Sequence, residues 1–117
     1  MSQLNRTRQL LNNPDAADPR VLLADVLHSA RELLSLPDND FLWSSWPDQD
    51  AAVAEIDSLL ALLDAGKLPD RLHVSMLFAV TGPIQEVSLS SGWADVFISV
   101  ADRFDQAEQR LWQGASD

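Results

Sequence analysis

Two stretches pair a carboxylate with an imidazole one helical turn apart, Asp25-x-x-His28 and Asp70-x-x-His73. Residues three apart share a helix face, so each pair could hold a cation or pass a proton. A second polar pair, Gln85-Glu86, follows Thr81-Gly82-Pro83, and Ser88, Ser90 and Ser91 lie just beyond it. Between Ile84 and Val87, Glu86 either points at water or is held partly out of it, where it could serve as an acid or base.

Each of these has a plainer reading. The Asp-x-x-His spacing resembles in outline the Glu-x-x-His pairs of di-iron four-helix bundles, which add an inward glutamate from each of two further helices. Here both carboxylates are aspartates, Asp70 stands where a first-turn charge is expected anyway, and Glu55 and Glu86 would have to complete the set. No metal and no cofactor are therefore expected, and His28 and His73 read as surface or edge residues. The serines lack a Gly-x-Ser-x-Gly setting, so Ser90 or Ser91 reads instead as the cap of the next helix. Thr81-Gly82-Pro83 matches neither glycine pattern that cradles phosphate. No catalytic residue is assigned.

The most unusual connection runs from Asp38 to Asp50, with Phe41, Trp43 and Trp46 set between aspartates. Its aromatics could plug the end of a helical bundle. Alternatively, Trp43 or Trp46 is exposed, a large rigid anchor of the type that dominates interface energetics. From Asp38 to Asp64 the acidic residues are Asp38, Asp40, Asp48, Asp50, Glu55, Asp57 and Asp64, with no Lys or Arg among them. A solvated face explains such a run, yet a basic partner would relieve its self-repulsion and be steered in by its field. Trp43, Trp46, Asp48, Asp50 and Asp57 are thus the candidate partner-binding residues, with Gln85 and Glu86 kept as a separate polar site.

The totals agree. With 117 residues the chain makes one domain, 1–117, and 46% apolar residues suffice for a core. Eighteen acidic against eight basic side chains give a net charge of −10, which disfavours nucleic acid and anionic membrane surfaces. The absence of cysteine excludes disulfides and thiol chemistry. No apolar run approaches the ~20 residues that span a bilayer, and the amino terminus lacks the apolar core of a secretory signal. A cytoplasmic location is expected.

These residues need helices to position them. Leu4, Leu10 and Leu11 mark a short first helix, with 1–13 prone to fray. Asp18-Pro19-Arg20 opens a second whose buried face runs from Leu22 to Leu34. Trp46-Pro47-Asp48 and Leu68-Pro69-Asp70 repeat that punctuation, and Gly66 closes the helix between them. Trp93, Phe97, Val100, Phe104, Ala107 and Leu111 form the stripe of a long last helix, the stretch around which the chain is expected to be organised. Residues 72–90 are ambiguous, because Leu72, Val74, Met76, Phe78 and Val80 also alternate as a strand would. The favoured fold is all-α, a compact bundle of about five helices; the alternative is α+β with a hairpin at 72–90. The favoured function is a non-catalytic protein-interaction module, an adaptor or neutralising partner for a basic protein. A small enzyme or ligand binder using Glu86 and a histidine is the alternative. A homodimer through an exposed Trp112 is a further expectation.

Overall fold

Three aspartates open three of the helices. Asp18 accepts the Arg20 N–H ahead of α2 (Pro19–Leu34), Asp48 accepts the Ala51 N–H ahead of α3 (Gln49–Asp64), and Asp70 accepts the His73 N–H ahead of α4 (Arg71–Leu77). Each carboxylate satisfies an orphan donor and sets negative charge against the positive helix end. Pro19 takes the first helical position as expected. Pro47 and Pro69 instead precede the capping aspartates, so they stiffen the approach to each helix without belonging to it. The remaining helices are α1 (Asn5–Asn12), α5 (Pro83–Ser91) and α6 (Ala94–Trp112). The structure, a computed structural model, describes residues 4–12 and 18–112. Residues 1–3 and 13 of the segment expected to fray lie outside these.

Among the described residues there are six helices and no strand, so the all-α reading holds and the hairpin does not. The ambiguous stretch resolves by burial. Val74, Leu77 and Phe78 turn inward, whereas Leu72, Met76 and Val80 are exposed. Steps of three and four, not two, mark the inner face. The helix then stops at Leu77, and a turn through 78–82 leads into α5, which is why a sixth helix appears. Gly82 makes that turn possible: a Cβ there would lie 2.3 Å from the Met76 carbonyl oxygen and 3.0 Å from that of Leu77. Only a residue without a side chain fits so close to backbone. At the far end of α5, Gly92 adopts φ +86° and closes the helix in the left-handed conformation.

The core forms around α2, which packs against α1, α3 and α6 and buries Leu22, Leu23, Val26, Leu27, Ala30, Leu33 and Leu34. Burial of each such leucine stabilises the fold by about 1.5–3 kcal/mol relative to exposure. From α6 the predicted stripe meets it, with Phe97, Val100, Phe104 and Ala107 buried and Phe78 stacked on Phe104 at 4.7 Å. Thus α6 shares the central position with α2. The short α1 is tied down by Glu32, whose carboxylate accepts the N–H groups of Arg6 at 2.7 Å and Thr7 at 2.9 Å. Buried beneath, the Thr7 and Ser29 hydroxyls are 2.7 Å apart. Leu111 and Trp112 are half-buried against the core, so Trp112 is not the fully exposed side chain expected. Among the described residues no helix is long and apolar enough to cross a membrane.

Candidate functional site

The connection between α2 and α3 is long, but it is pinned at several points. Asn39 sits at its base: its amide nitrogen donates to the Leu33 carbonyl at 2.8 Å, and its amide oxygen accepts the Trp93 indole N–H at 2.8 Å. Next to it, the Asp40 N–H donates to the Ser91 hydroxyl at 2.9 Å. Ser91 therefore holds this loop and does not cap α6, a correction to the capping role expected for Ser90 or Ser91. Further along, the Leu42 N–H donates to Asp40 Oδ1 and the Trp46 N–H to Ser44 Oγ. At the other base the Trp46 indole N–H donates to Glu55 Oε1 of α3 at 3.0 Å.

Two tryptophans three residues apart thus have opposite fates. Trp46 is 6% exposed and belongs to the core, so it is an anchor for the loop and not a partner-facing side chain. Trp43 is 70% exposed, and beside it Leu42, which sequence reasoning passed over, is 77% exposed. Together they form a crest on a fixed loop. Asp38, Asp40, Asp48 and Asp50 flank it, all exposed. Asp48 and Asp40 have structural duties as well, the first as the α3 cap and the second as acceptor for Leu42. Asp57 is different: Arg31 Nε reaches its Oδ1 at 2.6 Å, so its charge is already met from α2.

A second arrangement lies on the other side of Trp46. Glu55 Oε2 is 2.8 Å from His73 Nε2, so one carboxylate is shared by an indole and an imidazole. These groups line a cavity of about 490 Å³ that Glu86 also lines. Met76, Leu77, Ala79 and Pro83 supply its apolar wall. Glu86 makes no side-chain hydrogen bond or ion pair among the described residues. Gln85 faces elsewhere, accepting the buried Ser88 hydroxyl through its side-chain oxygen at 2.8 Å, so the expected Gln85-Glu86 pair does not act as one site. Sequence reasoning named Glu55 as one of the acidic run and as a metal-ligand candidate, not as the partner of Trp46 and His73. Its signal was present: Glu55 stands three residues after Ala52 and four before Leu59, both buried, a carboxylate at the margin of an apolar stripe.

The two histidine pairs do not converge. His28 lines a separate cavity with Arg6, Arg31 and Glu32. Burial holds its imidazole below the ordinary value of 6.5, and the nearby Arg6 guanidinium adds to this. Asp70 gives its carboxylate to the backbone N–H of His73, not to the imidazole. Among the described residues no group of three or more His, Cys, Asp or Glu side chains could hold a metal ion.

Comparison with known proteins gives a partial likeness. No family model matches the chain, and no solved structure matches it. It is similar to acetylglutamate kinases. That of Mycolicibacterium vanbaalenii is 41% identical over 68 residues, covering 54% of this chain and 23% of the relative. Those of Mycobacterium ulcerans and Mycobacterium marinum are 35% identical over 88 residues, covering 71% of this chain and 29% of each relative. The chain spans less than a third of the length of these curated relatives.

Proposed function

We propose that this protein is a non-catalytic docking module that binds a basic protein through the Leu42–Trp43 crest and the aspartates around it. The observation that supports the reading is the pairing of exposure with fixation. Two large apolar side chains stand in water on a loop held at both bases by indole hydrogen bonds. A pre-ordered loop loses little entropy on binding, and an exposed tryptophan is the commonest kind of interface anchor. The four surrounding aspartates and the net charge of −10 give the partner its sign.

Photo-cross-linking tests the reading in the native cell. A benzophenone amino acid placed at Trp43 is expected to capture a basic protein that the same group at Val21, also exposed but in α2, does not. Raising the salt concentration should reduce the yield. The same adducts from both positions, no adduct from position 43, or an acidic partner there would each contradict it.

A second reading takes up the likeness to acetylglutamate kinase, with this chain acting in phosphoryl transfer. Such chemistry needs positive groups around the phosphates. The cavity beside His73 has two glutamates and no Lys or Arg in its lining, and at the cavity beside His28 the arginines already face carboxylates, Arg31 on Asp57 at 2.6 Å and Arg6 3.9 Å from Asp25, so the docking reading is preferred.

A further inference from the structure

The geometry points to the cavity between α3, α4 and α5 as a binding site for a small organic ammonium ion carried on an apolar stem. The site does not depend on the crest, and it takes a ligand whether or not a protein docks there. Three features define the ligand. First, the lining holds two carboxylates, Glu55 and Glu86, and no Lys or Arg. If His73 is neutral the rim carries two negative charges, and if it is protonated one remains. A cation is favoured in either state, and an anion finds no counter-charge. The positive end of α5 also borders the cavity, but Glu86 lies in that helix's own first turn and meets it.

Second, the two carboxylates differ in what they still have to offer. Glu55 is committed to Trp46 and His73, whereas Glu86 is half-buried with no side-chain partner among the described residues. A carboxylate partly withdrawn from water gains most from a donor that arrives with a ligand. Third, part of the wall is apolar, built from Met76, Leu77, Ala79 and Pro83. The volume of about 490 Å³ falls within the range of small-molecule sites, and among the described residues no three ligating side chains converge as a bare metal ion would need. An ammonium group against Glu86 with a hydrocarbon stem against Met76 and Leu77 satisfies both halves of the lining. Two sources could present that chemistry, a free amine or the side chain of a lysine.

Titration of the ¹⁵N-labelled protein with hexylammonium, hexanol, hexanoate and the capped lysine N-acetyl-lysine-methylamide separates these cases. The indole N–H of Trp46 is the reporter, because it rests on the carboxylate that lines the site. Hexylammonium is expected to shift that resonance saturably, with hexanol and hexanoate at least about tenfold weaker. Glu86→Gln is expected to weaken hexylammonium about threefold to tenfold while lowering the thermal transition by only a few degrees, since within the fold that carboxylate meets only the positive end of α5. Capped lysine binding as well as hexylammonium would name a protein side chain as the source, and weaker binding would name a free amine. Equal shifts from hexanol and hexylammonium, no saturable shift, or an unchanged affinity in Glu86→Gln would overturn the proposal. Position 43 plays no part in any arm, so failure here leaves the docking reading standing, and the reverse also holds.

Discussion

Trp46 donates its indole N–H to the Glu55 carboxylate at 3.0 Å, and that one bond connects the loop before α3 to the imidazole of α4. The buried ring fixes where the loop returns to the bundle, which leaves Leu42 and Trp43 projecting at a set place. Trp46→Phe keeps most of the ring and removes the donor. A loss of about 1–3 kcal/mol in urea denaturation is expected, since a hydrogen bond to a charged acceptor is removed from a mostly buried position. In a double-mutant cycle with Glu55→Gln the two changes should couple by about 1 kcal/mol; simple additivity would show that the bond adds nothing.

Trp43 should behave in the opposite way. Trp43→Ala is expected to change stability by less than about 0.5 kcal/mol, because its ring makes little use of the core. The same substitution should remove most of the tryptophan fluorescence that acrylamide quenches, since Trp46 and Trp93 are buried and Trp112 half-buried. In the unsubstituted protein, caesium ion should quench that fluorescence better than iodide, as the flanking aspartates attract one and repel the other. Asp38→Asn with Asp50→Asn should narrow the difference.

How much of this could be read from the chain follows from the range of the forces involved. Helix starts are local: an aspartate next to a proline at 18, 47–48 and 69–70 carries its own cap, and the structure places helices at all three. The stripe from Trp93 to Leu111 was legible for the same reason, being periodic within one element. The site was less so. Nothing local distinguishes Trp43 from Trp46, because the Glu55 that captures one of them lies in the next helix. Asn39, whose amide binds Leu33 and also Trp93, 54 residues further along the chain, looks like an ordinary turn residue. The close approach at Gly82 depends on two carbonyls of the preceding turn and was equally hidden.

That approach sets a third expectation. Gly82→Ala should lower stability by about 2 kcal/mol or more, because the clashing atoms are backbone and cannot rotate away. Gly92→Ala, whose new methyl group would meet nothing within 4 Å, should cost only the left-handed backbone penalty of about 1 kcal/mol. Equal losses at both positions would contradict the tight turn between α4 and α5.

Stability should also depend on pH through two groups of opposite sense. The His28 imidazole is held below its ordinary 6.5 by burial and by Arg6, so the unfolded chain binds the proton more readily. Its contribution is present above pH 6.5 and is lost as pH falls through the lowered value. Asp105 is raised above 3.8 by burial and by the neighbouring Glu108 and Asp102 carboxylates. Its contribution is present below pH 3.8 and is lost as pH rises through the raised value. Melting curves should therefore show His28→Gln flattening the decline on the acid side of pH 6.5, and Asp105→Asn raising the transition temperature at pH 7.

The central claim is that aspartates steer a basic partner onto a fixed Leu42–Trp43 crest, and association kinetics with the protein cross-linked at position 43 test it most directly. Asp38→Asn with Asp50→Asn is the pair to use, because Asp48 caps α3 and Asp57 is bound by Arg31. The account predicts that this pair slows association several-fold at low salt and flattens its salt dependence, while Trp43→Ala mainly speeds dissociation, by about tenfold or more. Association and dissociation rates unchanged by both sets of substitutions would contradict it.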